Sequence, residues 1–171
     1  LLAEFKHITS FIFDLDGVLT DGSLYVFDDG QQVRKMNIKD GYALQLAVKK
    51  GYNVGVISGS NSEAAQIRLS RLGIIDISMK VLDKTAKFRE YISKWNVAAK
   101  SVVYMGDDIP DLEVMKLAGI SSAPLDAVAE VKHVARYISP YAGGQGCVRD
   151  VIEKVLKLNG HWDLKTDVPS R

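Results

Sequence analysis

Only one thiol, Cys147, occurs in 171 residues, so an internal disulfide and a thiolate zinc cluster are excluded, and a reducing, cytoplasmic setting is expected. Net charge is equally scarce. The 22 Lys and Arg stand against 21 Asp and Glu, which leaves neither the basic surface that nucleic acid requires nor the acidic excess of a disordered tail. Long apolar runs are missing too: the opening "LLAEFKH" meets Glu4 and Lys6 after one apolar pair, too soon for a secretory core or a membrane span, so no membrane partner is expected. Internal repeats and low-complexity tracts are absent. The three histidines, His7, His133 and His161, lie apart from every motif described below, which argues against a nucleophile activated by an imidazole base.

What is present is alternation. Nearly half the residues are apolar, and short β-branched runs ("SFIFD", "YNVGVIS", "DISM", "SVVYMG", "ARYIS") alternate with stretches of helical period, the pattern of βαβ units on a mostly parallel sheet. "DGYALQLAVKKG" reads as a helix capped by Asp40 and stopped by Gly51, and "NSEAAQIRLSRLG" as one capped by Asn61 or Ser62 and stopped by Gly73. In "KTAKFREYISKW", Phe88, Tyr91, Ile92 and Trp95 recur at helical spacing and form a core stripe. "SLYVFDDGQQVRKMNI" breaks the alternation and predicts a β-hairpin turning at Asp28-Asp29-Gly30, which must pack on its own domain or on another copy of the chain. Residues 1–158 are expected to form one domain, and 159–171, which lose helical period, a tail.

In a parallel sheet the chemistry collects beyond the carboxyl ends of the strands. Asp14 and Asp16 stand there after the first run, Ser58 and Gly59 after the second, and Asp107 and Asp108 after "SVVYMG"; Lys84 opens the helix that follows "DISM". Asp14 and Asp16 are two apart and share a side of the chain, while Gly17 permits a sharp turn. Carboxylates crowded on one rim need a cation, and hard oxygen ligands suit Mg²⁺. Lys84, the Ser58 hydroxyl and the N–H groups near Gly59 supply donors for an oxyanion. A cation seat beside an anion seat fits phosphoryl transfer with an aspartate nucleophile.

As a set, "DLDGVLTDG", "VISGS", Lys84 in "VLDKTAKF" and "YMGDDIPDLEVM" resemble the four motifs of the haloacid dehalogenase superfamily of phosphohydrolases, and the likeness continues through "GGQGCVRDVIEKVL". The resemblance implies an α/β fold: a Rossmann-like, mostly parallel sheet with helices on both faces, a protruding β-hairpin and no cap domain. It makes Asp14 the nucleophile that forms an aspartyl-phosphate and Asp16 the acid and then the base. Mg²⁺ would be held by Asp14, the backbone carbonyl of Asp16 and Asp107, with Asp108 in support, and phosphoryl oxygens by Ser58, Gly59 and Lys84.

Among capless members, the hairpin and the "GGxGxxR" segment are similar to a branch hydrolysing the sugar phosphate 3-deoxy-D-manno-octulosonate 8-phosphate on the way to lipopolysaccharide. That branch is a homotetramer in which a neighbouring subunit covers the site. On this likeness Arg68, Gly143, Gly144 and Arg149 contact the sugar acid. One departure is Ser60, which follows Gly59 where the branch carries Arg, so a nine-carbon, sialic-acid-like nonulosonate 9-phosphate stays open as the substrate. A receiver-like phospho-aspartate signalling module also stays open, although a receiver takes the phosphoryl group on a later strand than its acidic pair.

Overall fold

The run "SFIF" has no polar face to turn toward water, so as a strand it must be covered on both sides. In the computed structural model, which describes residues 1–163, it is β1 (Ser10–Phe13), and all four residues are fully buried. A short helix, α1 (Leu2–Phe5), precedes it. The hairpin strands β2 (Tyr25–Val26) and β3 (Gln32–Val33) follow, then α2 (Ile38–Lys49), β4 (Asn53–Ile57), α3 (Glu63–Arg71), β5 (Asp76–Ser78) and α4 (Lys84–Trp95). The second half runs through β6 (Val102–Met105), α5 (Leu112–Met115), β7 (Ile120–Ala123), α6 (Ala129–Val134), β8 (Tyr137–Ile138) and α7 (Cys147–Leu158).

Six strands form one parallel sheet in the order β5-β4-β1-β6-β7-β8. The chain moves outward from β1 to β4 and β5, then returns to β6 on the other side, so the crevice where the order reverses opens at the carboxyl end of β1. One core lies under α2, α3 and α7 and the other under α4, α5 and α6, so helices cover both faces as expected. Tyr91 and Trp95 of the aromatic stripe lie over Gly55 of β4, where a Cβ would stand 2.8 Å from Tyr91 and 2.9 Å from Trp95. That contact seats α4, and with it Lys84 at its first turn.

Three sequence expectations change. The strand β7 has no counterpart among the apolar runs, since Ser121 and Ser122 interrupt "ISSA"; both hydroxyls are buried and donate to the carbonyls of Val134 and Tyr104. The helix expected to start at Asp40 begins three residues earlier, capped by Asn37, whose Oδ1 accepts from the Lys39 N–H at 2.8 Å. Asp40 instead caps a different helix. Gly146, at the N-cap of α7, has no side chain, and Asp40 Oδ1 accepts the Arg149 N–H at 2.7 Å in its place. The hairpin is present, but its own chain leaves Tyr25, Val26 and Phe27 64%, 68% and 53% exposed.

The helix α7 ends at Leu158, and of the expected tail, His161 and Trp162 pack on Tyr52 and Tyr42, while Asp163 pairs with Lys50 at 3.1 Å. Residues 164–171 lie outside the described part. Among the described residues no helix is long and apolar enough to cross a membrane.

Asp40 generates a stability test. Its Oδ2 is buried without a partner, and burial pushes its pKa up to about 6 against the opposing N–H groups of Arg149 and Gly146. A carboxyl raised in the folded state contributes stability that is complete below its unfolded pKa near 4 and is lost as pH rises through about 6. Asp40→Asn keeps the acceptor and removes the charge, so thermal melts of the variant should gain on the parent between pH 4 and 7. Asp40→Ala, which removes the cap, should cost about 1–2 kcal/mol at either pH.

Candidate active site

The ends of β1, β4 and β6 and the start of α4 meet around a shallow cavity of about 320 Å³ lined by Asp14, Asp16, Ser58, Gly59, Lys84 and Asp107, among others. At the end of β1, the Asp14 N–H still bonds to Met105 on β6 at 3.0 Å. Beyond it the chain makes a wide turn over Leu15–Leu19, closed by Thr20 N–H to Leu15 C=O at 3.0 Å. Gly17 sits in that turn at φ +80°, and a Cβ there would fall 1.9 Å from Asp107 Oδ2. Only glycine lets the loops carrying Asp14 and Asp107 come this close.

Lys84 is the first residue of α4, where Asp83 caps the helix by accepting the Ala86 N–H. Its ammonium is buried, 3.0 Å from Asp14 Oδ2 and 2.7 Å from Asp111 Oδ1. Burial opposes the charge, but the two carboxylates outweigh it and hold the lysine above its ordinary pKa. Burial and repulsion from Asp111 push Asp14 up to about 8 despite Lys84. Burial, then Asp111 and Asp108, push Asp107 up to about 7. Asp16 moves the other way: burial is outweighed by hydrogen bonds from Arg34, Ser60 and Thr20, which hold it below the usual carboxylate range.

Ser58 follows β4, and its Oγ lies 3.0 Å from Ser60 Oγ and accepts the Ser60 N–H at 3.2 Å, which orients the loop through Gly59. Ser60, where a guanidinium is expected on the resemblance, thus supports Ser58 and Asp16 instead. The third acid of the opening stretch, Asp21, accepts from the Ser23 N–H at 3.0 Å and serves the loop that enters the hairpin.

Two residues of this centre have no role in the sequence reading. Asp111 is fully buried and accepts from Lys84, from Tyr104 Oη at 2.7 Å and from the Asp107 N–H at 3.2 Å. Its signal is an acid four residues past Asp107 in the same motif. Arg34 grips Asp16 with two hydrogen bonds from the far limb of the hairpin, and no local pattern marks it. Asp108 is exposed at the cavity edge, its carboxylate turned back to the Ile109 N–H at 2.8 Å.

Four expected sugar contacts do not reach the cavity within one chain. Gly143 and Gly144 are buried behind the Asp16 loop, where a Cβ would stand 1.9 Å from Gly17 C=O and 2.6 Å from the Asp21 nitrogen respectively. The Gly144 N–H donates to Val18 C=O at 2.9 Å, so these glycines buttress the loop. The Arg68 guanidinium lies over Gly41 of α2. Arg149 pairs with Glu153 at 3.1 Å and lies over the Trp162 ring at 5.1 Å, in a separate groove.

Carboxylate oxygens of Asp14, Asp107 and Asp111 all fall within 4.8 Å of one another. This all-oxygen set, with two acids raised by burial and by repulsion from neighbouring carboxylates, fits a hard cation such as Mg²⁺. Asp111 already serves three donors, which leaves Asp14 and Asp107 as the side chains best placed to hold it, beside the backbone carbonyl expected from Asp16.

The sequence profile of the haloacid dehalogenase-like hydrolases matches residues 57–152. The 3-deoxy-D-manno-octulosonate 8-phosphate phosphatases of Salmonella typhi and Escherichia coli K12 are each 32% identical over 163 residues, which cover 95% of this chain and 87% of the relative. Two solved structures of phosphatases with that name are similar throughout. The Yersinia pestis protein superposes with a TM-score of 0.91 at 29% identity, covering 94% of this chain and 86% of that one. The Moraxella catarrhalis protein, solved with a magnesium ion, a phosphate ion and a KDO molecule, gives 0.88 at 30% identity, covering 92% and 90%.

The raised acids imply that protons compete with the cation. Mg²⁺ affinity, measured by calorimetry, should rise about tenfold or more from pH 6 to 8 with proton release. Asp107→Asn should weaken binding more than about tenfold and flatten that pH dependence.

Proposed function

The chain belongs to the haloacid dehalogenase-like hydrolases, and from that membership we propose that it is a Mg²⁺-dependent phosphomonoesterase acting through an aspartyl-phosphate. The preferred substrate in this reading is 3-deoxy-D-manno-octulosonate 8-phosphate. The observation that carries the chemistry is Asp14 at the switch point of the sheet, with Lys84 3.0 Å from its carboxylate and Asp16 two residues on. The names of relatives matched along nearly the whole chain carry the substrate.

A carboxylate approaching a phosphate dianion meets about 4 kcal/mol of repulsion per pair of unit charges at 4 Å and an effective dielectric near 20. Lys84 opposes this at the attacking atom, and Ser58 with the Gly59 backbone receives phosphoryl oxygens. Asp16, a carboxylate in the free site, takes up a proton from solvent as the phosphate dianion enters beside it. Asp14 then forms a bond to phosphorus as the ester P–O bond breaks, and the departing alkoxide takes that proton. Asp16, now a carboxylate, takes a proton from the water that attacks phosphorus, the bond to Asp14 breaks, and phosphate leaves. Asp14, Asp107 and the Asp16 carbonyl would hold Mg²⁺, which when bound supplies positive charge to the phosphoryl oxygens.

The cavity is open, and the hairpin beside it exposes Leu24, Tyr25, Val26, Phe27 and Val33. An isolated two-stranded hairpin with that surface is marginal in water. In our reading it is buried in a homotetramer, a neighbouring subunit covers the site, and Arg68 and Arg149 face the sugar acid only in that assembly. The buried, unpaired thiol of Cys147 suits a cytoplasmic enzyme.

Asp14→Asn and Asp16→Asn should each lower turnover by at least about a thousandfold while the variant still melts cooperatively. Full activity in either variant would overturn the assignment. Across a panel of sugar-acid phosphates, kcat/KM should favour the eight-carbon ester by about tenfold or more; a preference for the nine-carbon ester would move the substrate, and no turnover on any ester would remove the phosphatase reading. Mass measurement in solution should give four chains, and Phe27→Asp should dissociate them.

A further inference from the structure

Arg34 reaches Asp16 from a direction that none of the strand ends supplies. It follows β3, eighteen residues after Asp16, and its guanidinium meets the carboxylate side-on: Nε donates to Oδ1 at 2.7 Å and Nη2 to Oδ2 at 3.2 Å. Its side chain is only 6% exposed, although the strands that deliver it are exposed. A planar fork on both oxygens fixes the tilt of a carboxylate as well as its place, which a point charge cannot do.

The anchoring is double. Met36, two residues further, pairs with Thr20 across the base of the hairpin, and Thr20 Oγ1 donates to Asp16 Oδ1 at 3.4 Å. The return limb of the hairpin is thus tied to the loop that carries Asp16, both through the backbone and through the fork. Arg34 is not among the residues lining the cavity, so it holds Asp16 from behind and acts through it.

Resting on the acid and base role proposed for Asp16, we propose that Arg34 is a positioning residue for leaving-group departure. In the free site the fork keeps Asp16 a carboxylate, and the proton it delivers is one taken from solvent as the phosphate dianion enters. The fork supplies the position from which the ester oxygen receives that proton as its bond to phosphorus breaks and the bond from Asp14 forms. The hairpin then belongs to the catalytic apparatus and is not only an assembly surface.

Two esters separate this role from a structural one. A sugar phosphate leaves as a strongly basic alkoxide that needs the proton, whereas p-nitrophenyl phosphate leaves as a stabilised phenolate that hardly needs it. kcat/KM is the quantity to compare, because it ends at the first irreversible step and excludes later hydrolysis of the aspartyl-phosphate. Arg34→Met should lower kcat/KM by about 30- to 100-fold for the best sugar-acid phosphate and by less than about threefold for p-nitrophenyl phosphate. Arg34→Lys, with the charge but not the fork, should lose an intermediate amount on the sugar ester alone. If the Met variant lacks a cooperative melt, the Lys variant carries the comparison.

Equal losses on the two esters would make Arg34 a structural residue and overturn the proposal. A rise on the sugar ester would make it a restraint on Asp16 and overturn it as well. A parent protein that hydrolyses neither ester would remove the phosphatase reading and this proposal together, whereas ester-independent behaviour of the variants would sink this proposal alone.

Discussion

The ammonium of Lys84, buried between Asp14 and Asp111, is the interaction on which the centre depends. Three acids with oxygens within 4.8 Å of one another would drive their loops apart or take up protons if no positive charge were buried with them. A buried charge separated from its partner leaves about 3–5 kcal/mol uncompensated, so the loops of β1 and β6 and the start of α4 are held in one arrangement. The position of Lys84 follows from packing far from the chemistry. Asp83 fixes where α4 begins, and Tyr91 and Trp95, lying over Gly55, fix where it rests. Core apolar contacts and the local charge pattern therefore support the same geometry.

The hairpin connects two scales. Its tip is apolar and exposed, while its return limb delivers Arg34 and Met36 to the loop beyond β1. The apolar tip and the contacts to Asp16 thus belong to one short element. With Ser60 turned to Ser58 and Asp16, the loop after Gly59 presents hydroxyls and no guanidinium of its own.

Much of this was legible in the sequence because it is local. Asp14, Ser58, Lys84 and Asp107 stand where apolar runs end, and a parallel sheet carries such residues to one rim whatever the strand order. The rest depends on contacts between distant segments. Ser121 and Ser122 sit in a strand because carbonyls of Val134 and Tyr104 accept their hydroxyls, and "ISSA" alone does not announce that. Asp40 has the composition of a cap but serves α7, 109 residues away, because Asn37 already caps its own helix. Arg34 is visible only once the hairpin has folded back. Gly143 and Gly144 invite reading as an anion site before a helix, yet the close approach of the Gly17 and Thr20 backbone explains them.

That approach and the one at Gly17 have a common outcome. The first loop is pressed by α7's leading glycines on one side and by Asp107 on the other, with hydrogen atoms as the only spacers. The spacing of Asp14 and Asp107 is therefore set by packing at three glycines. A methyl group at Gly17 would displace the Asp107 carboxylate directly, and one at Gly143 or Gly144 would displace the loop beyond Asp14 through its backbone.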